Sequence, residues 1–276
     1  MEGRRTVRLL GALALAASGA LAQPVAQEAA PGRLVERPIR LDGMFQMHVQ
    51  TDGDFAMEVI SPPGPQYRGC TTVSSHTDAS FEGGSFIMQA GFAEQEIAAA
   101  SYTLTADKFP VRVDLMEMIF ATYQATESTT THWSILVWDG PPNTGILVAE
   151  YSSDGDILPH IELPPGTNGI NVQVSVDPND PNQIIINNDS GTNTISFGYR
   201  IDQHNFQIQD PCFVAPPQNR NCFPTTDVSG LQSSTGNWLR GLDCGPLGCP
   251  PNGGWARFST LNQFCRPSGD WVMRMT

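Results

Sequence analysis

Lysine is almost missing from this chain. Lys108 is the single lysine in 276 residues, and the other fourteen basic residues are arginines that form no extended basic run. Aspartate and glutamate number 28, for a formal net charge of −13. Neutralising a phosphate backbone takes clustered Lys and Arg, so nucleic acid is excluded as a partner. Long apolar runs are missing too. No run after residue 23 is long enough to span a bilayer, so no transmembrane segment is expected. Gly and Pro together number 48, about 17%, short of the roughly 25–30% that marks low-complexity disorder. The hydrophobic fraction, 40%, is enough for a packed core.

Enzyme motifs are equally scarce. The nearest approach to a nucleophile elbow, Gly83-Gly84-Ser85-Phe86-Ile87, lacks the closing glycine. No His-Glu-x-x-His, Walker or dinucleotide-binding glycine pattern occurs. The five histidines (His48, His76, His132, His160, His204) are scattered, and each reads as structural. Glu94/Glu96 and Asp154/Asp156 have the i, i+2 spacing of a carboxylate pair. The second pair flanks Gly155 and reads as turn chemistry. The chain is therefore expected not to be an enzyme. A hydrolase site assembled in space remains the least favoured alternative.

The N-terminus carries an export signal. Arg4, Arg5 and Arg8 precede a short apolar run over residues 9–17, and Ala20-Leu21-Ala22 is a small-residue cleavage site. Cleavage after Ala22 leaves twelve basic and twenty-seven acidic residues in 254, a net charge of −15. The expected location is secreted, periplasmic or at the cell surface.

Six cysteines suit an oxidising compartment: Cys70, Cys212, Cys222, Cys244, Cys249 and Cys265. An even number reads as three disulfides. Sequence proximity favours Cys212–Cys222 and Cys244–Cys249, which leaves Cys70 for Cys265. The four cysteines between 212 and 249 are ten, twenty-two and five residues apart, without the paired C-x2-C knuckles of a zinc ribbon.

Period-two alternation dominates the mature chain. Phe45, Met47 and Val49 alternate with polar residues, a turn follows at Thr51-Asp52-Gly53-Asp54, and Phe55, Met57 and Val59 resume the pattern. This predicts a β-hairpin over 44–60 with one buried face. Further strands are predicted at 85–90, 101–105, 111–122, 132–138, 146–151, 157–163, 169–176, 183–186 and 194–201. Residues 92–100 are compatible with helix or strand. Two more strands are predicted at 254–261 and 270–275. The prediction is an all-β, jelly-roll-like antiparallel sandwich. A flexible leader covers 23–43, a single domain covers 44–276, and disulfide-stapled loops fill 211–276. A separate cysteine-rich domain is the alternative for that last part.

Two groups of residues are candidates for binding. Asp177, Asn179 and Asp180 supply oxygen ligands within one loop, so Ca²⁺ is the cofactor to consider; no other is implied. Trp238 and Trp255 lie near Asn237 and Arg257 in the cysteine-rich part. Indoles beside amide and charged groups grip sugar faces by stacking and polar contact. The competing reading is that these tryptophans fill a core short of aliphatics. Trp133 and Trp138, five apart in one strand, should point to opposite faces.

The segments Trp133-Ser134-Ile135-Leu136-Val137-Trp138-Asp139-Gly140, Gly145-Ile146-Leu147-Val148, Ile195-Ser196-Phe197-Gly198-Tyr199-Arg200-Ile201 and Gly269-Asp270-Trp271-Val272-Met273-Arg274 carry a resemblance. Their pattern resembles jelly-roll modules of exported bacterial proteins, of the carbohydrate-binding and convertase P-type kinds. The resemblance spans about half the mature chain. It implies a non-catalytic surface or extracellular module that binds a glycan or a protein. A structural or adhesive surface component without a small-molecule site is the alternative.

Overall fold

The computed structural model describes residues 34–51, 54–60, 72–176, 179 and 183–276. The expected signal peptide, most of the leader, Cys70, Asp177 and Asp180 lie outside the described residues.

Strands dominate the described chain. The first six are β1 (Val35–Leu41), β2 (Met44–Gln50), β3 (Phe55–Ile60), β4 (Ser74–Ser75), β5 (Gly84–Ala90) and β6 (Ile97–Thr103). Next come β7 (Val111–Val113), β8 (Leu115–Ala121), β9 (Thr129–Asp139), β10 (Ile146–Ser152), β11 (Ile161–Leu163) and β12 (Gly169–Ser175). The last are β13 (Ile184–Ile186), β14 (Thr194–Gln203), β15 (Phe223–Asp227), β16 (Asn237–Gly241), β17 (Gly254–Arg257) and β18 (Met273–Met275). Two single-turn 3-10 segments, Ala106–Lys108 and Gly245–Leu247, are the described helices.

One sheet runs β1-β5-β15-β8-β12-β2-β3, with β18 added to β8 and β4 added to β18. The other runs β10-β9-β14-β6-β16-β17, with β11 added to β9. A two-stranded piece pairs β13 with β7. Pairing is antiparallel except for β2 beside β12, which is parallel.

Strand alternation places the core between the two large sheets. In β14, Ile195, Phe197, Tyr199 and Ile201 are buried in the main core, while Ser196, Gly198, Arg200 and Asp202 face the other way. Phe120 of β8 meets Trp133 of β9 at 6.1 Å and Tyr199 of β14 at 4.7 Å between ring centroids. These contacts join the sheets, and the fold is the expected β-sandwich.

The 44–60 hairpin forms as predicted, with Val49 opposite Phe55 and Met44 opposite Ile60. Several boundaries differ from the sequence reading. The leader was expected to stay flexible to residue 43, but β1 pairs with β5 from Val35↔Ala90 to Leu41↔Gly84. Ile39 and Leu41 on β1 reach the core, and that burial holds the strand. The ambiguous 92–100 segment is a turn followed by the start of β6. Gln95, at φ 70°, marks the reversal. The 111–122 run divides at Asp114, where β7 leaves to pair with β13.

Residues 211–276 do not stand apart. They give β15 and β18 to one sheet and β16 and β17 to the other. The disulfides also differ from expectation. Cys212 joins Cys244 and Cys249 joins Cys265, whereas Cys222 is unpaired and buried. The proposed Cys212–Cys222, Cys244–Cys249 and Cys70–Cys265 pairs are therefore incorrect. Sequence proximity misled because β15 and β16 lie between the cysteines and carry Cys222 into the core.

Candidate functional site

The outer face of the second sheet gathers the residues of interest. Strand register sets one row across it: Leu136 of β9, Gly198 of β14, Ala99 of β6, Trp238 of β16 and Arg257 of β17. The row beside it holds Ser134, Arg200, Ile97, Arg240 and Trp255. Gly198 and Ala99 leave a low floor in the middle of this face.

Tryptophans cover that floor. Trp138 and Trp255 belong to strands four steps apart, ~19 Å of sheet at normal strand spacing. Their ring centroids are nonetheless 5.7 Å apart, edge to face. Trp255 also meets Trp238 edge to face at 6.5 Å. The indoles therefore lie down over the small residues and form a second, smaller apolar cluster with Ile97, Ala99 and Leu136. Trp133 points the opposite way, into the main core, as strand alternation predicts.

The predicted binding residues separate accordingly. Trp238 is 4% exposed, Trp255 is half-buried and Arg257 is exposed, with its guanidinium 4.7 Å from the Trp238 ring centroid. Exposed Arg240 lies opposite Trp255 in the register. The indole N–H of Trp238 is buried and has no acceptor among the described residues. A buried donor without a partner costs about 1–3 kcal/mol.

Asn237 does not belong to this patch. It faces the interior, where its amide donates to Asp270 Oδ1 at 2.6 Å and to the Ser233 carbonyl at 2.9 Å. Its oxygen accepts the Trp271 backbone N–H at 3.0 Å. Asn237 is thus a core bracket, because neighbouring residues of a strand point to opposite faces. Trp271 is fully buried and donates to the Trp238 carbonyl at 2.9 Å.

Farther along the same face the residues become polar. Arg200 contacts Asp202 and pairs with Glu150 at 3.0 Å, and Ser134 donates to Asp202 at 2.5 Å. Burial works against the Arg200 charge, but Asp202 and Glu150 outweigh it and hold its pKa above the usual value. One position beyond Ser134 on this face lies His132. Its Nδ1 is 2.6 Å from Asp154 Oδ1, and His160 Nε2 is 3.2 Å from the same oxygen. The two imidazoles stack at 3.8 Å. The hydrogen bond to His132 holds the Asp154 carboxyl below its ordinary range, and His160 adds to that effect.

The five histidines, scattered in the sequence, are not all apart in the fold: His132 and His160 meet at Asp154. The sequence carries no local signal for this meeting, because it is the β9–β11 pairing that brings residues 28 apart together. His76 and His204 do serve structure: each Nε2 donates to a backbone carbonyl, of Ser101 at 2.8 Å and of Phe92 at 2.7 Å. Glu94 and Glu96 bond backbone N–H groups of His204 and Ala93, so neither is arranged as an acid–base partner of the other.

Of the calcium candidates, Asn179 is exposed, and Asp177 and Asp180 lie outside the described residues. A groove of about 440 Å³ between β10 and β13 is lined by Val148, Glu150, Tyr151, Gln183 and Ile185. Its one carboxylate, Glu150, is the partner of Arg200.

Fold and site define a disulfide-stapled β-sandwich with an aromatic and basic patch on an outer face. Comparison with known proteins finds no matching family model, no similar curated protein and no matching solved structure. The functional reading rests on geometry.

Proposed function

We propose that the chain is an exported, non-catalytic module that binds an anionic glycan. The carrying observation is the patch of half-buried Trp255 beside Trp238, with Arg257 and Arg240 exposed around it. A part-exposed indole offers stacking to a sugar ring, and guanidinium groups recognise carboxylates by paired hydrogen bonds. Arg240 and Arg257 give this end of the face positive charge in a chain of net charge −13. The N-terminal signal pattern and the two disulfides support export. No described helix is long and apolar enough to cross a membrane.

A structural surface component is the second reading, favoured by the burial of Trp138 and Trp238 at 5% and 4% exposure. A glycan array probed with the protein lacking residues 1–22 separates the two. Binding to uronic-acid-containing glycans is expected, weakened at least tenfold in Trp255→Ala and in Arg257→Ala. A silent array with the folded wild-type protein would sink the glycan reading and favour the structural one.

A further inference from the structure

We infer that His132, Asp154 and His160 form a solvent-open site for a divalent transition cation of the zinc class. Two imidazole nitrogens and a carboxylate oxygen converge there, all within 4.8 Å of one another. Two histidines and one carboxylate are a common zinc donor set, with a fourth position left to water. Imidazole favours zinc-like ions over calcium, which takes six to eight oxygens.

The strand register and neighbouring hydrogen bonds fix this geometry independently of the three ligand side chains. β11 pairs with β9 as Ile161↔Thr131. One step further in that register sets His160 beside His132, which accounts for the stacked rings. The Trp133 indole N–H donates to the Pro159 carbonyl at 3.0 Å and pins the residue before His160. Asp154 comes from the turn that ends β10. That turn is clamped on β9 from both sides: the Ser153 N–H donates to the Trp133 carbonyl at 2.8 Å, and the Ser153 hydroxyl accepts the Trp133 N–H at 2.9 Å. The Asp154 N–H is held by the Ser152 hydroxyl at 3.2 Å. Three segments thus present their ligands from a braced frame, as a preorganised site requires.

The distances suit an ion once the imidazoles, stacked with near-parallel planes, turn so that their in-plane lone pairs converge. Tetrahedral donors about 2.0–2.1 Å from zinc are roughly 3.4 Å from each other. His160 Nε2 and Asp154 Oδ1 are already 3.2 Å apart, whereas His132 Nδ1 and the same oxygen, at 2.6 Å, must separate slightly. The side chains are 24%, 57% and 33% exposed for His132, Asp154 and His160, so rotation and ion entry are both open. The carboxylate that bridges the two rings supplies the negative charge a dication needs. A bound ion would cross-link β9, the β10 turn and the lead into β11.

Calorimetric titration of zinc chloride into the untagged chain lacking residues 1–22 tests the site, with calcium chloride as the contrasting probe. One zinc per chain is expected, and calcium should give no competition for it. His132→Ala and His160→Ala should each weaken zinc binding at least tenfold. A hundredfold excess of zinc over its dissociation constant should raise the wild-type melting temperature by roughly 5 °C and raise that of either variant by no more than about half as much. Metal-free melting and far-ultraviolet dichroism check that the variants fold; if His132→Ala does not, His160→Gln, on the loop side, replaces it. No heat with millimolar zinc, or unchanged affinity in the folded variants, would overturn the assignment.

Discussion

Glu96 shows how a single buried group sets a pH dependence. It stands just before β6, 2% exposed, and accepts the Ala93 N–H at 2.8 Å. Burial pushes its pKa up to about 8, although the backbone donors of Ala93 and Leu242 oppose the rise. In the unfolded chain the same carboxyl ionises near 4.5. The native state therefore holds more protons between these values, and stability falls as pH rises. The Glu96 contribution is complete below about 4.5 and lost as pH rises through about 8. His204 works in the opposite sense: burial lowers it to about 4, so its contribution is lost as pH falls from about 6.5. Glu96→Gln keeps an acceptor for the Ala93 N–H and removes the titration. The variant should be more stable than wild type at pH 8, by roughly 4 kcal/mol, and indistinguishable at pH 4. Urea unfolding at the two pH values checks this; equal differences at both would refute it. At the residue scale the sequence showed Glu94 and Glu96 only as spacing. Their work as backbone acceptors depends on a turn that composition did not resolve.

Among the elements, β14 shows why one glycine matters. A Cβ at Gly198 would lie 2.5 Å from the Ala98 carbonyl oxygen and 2.8 Å from Ala99 Cβ, in the strand beside it. Backbone cannot yield as a long side chain can, so Gly198→Ala must push β14 from β6. The expected loss is about 1–3 kcal/mol, with weakened near-ultraviolet dichroism from the tryptophans lying over that floor. A neutral substitution would show that the sheet relaxes freely. The strands β2, β5, β12 and β14 were legible because hydrophobic and polar residues trade places nearly every second position, and β9 and β10 as short apolar runs bounded by turn residues. β15 and β16 were not. Phe223–Asp227 carries Pro224 and is buried throughout, and in Asn237–Gly241 four of five residues are buried, so neither alternates. The tryptophans and Arg257 were legible as candidates from residue type. Asn237 was misread because its face depends on a strand that the sequence did not reveal. The His132–Asp154–His160 group was missed because its members meet only through β9, the β10 turn and the β11 register.

For the whole molecule, the two disulfides and the path of the C-terminal segment make one connected argument. Cys212–Cys244 closes a loop of sequence separation 32, and Cys249–Cys265 closes one of 16. On the loop-closure account each restricts the unfolded chain by about 3–4 kcal/mol. Both tie residues around β16 and β17, in the outer half of the second sheet, while β15 and β18 of the same segment complete the first. Residues 211–276 therefore have no separate core: Phe223, Leu239, Phe258 and Trp271 belong to the cluster that also holds Trp133 and Tyr199. Removing Cys212–Cys244 by the double substitution Cys212→Ala with Cys244→Ala should lower the melting temperature by roughly 10 °C. The loss should fall on the entire molecule, because a segment that shares both sheets cannot melt without opening the core. Calorimetry should show one transition before and after, with similar agreement between calorimetric and van't Hoff enthalpies. Two resolved transitions in the variant, the lower one removed by proteolytic trimming of residues 211–276, would mean that the cysteine-rich part is a unit of its own.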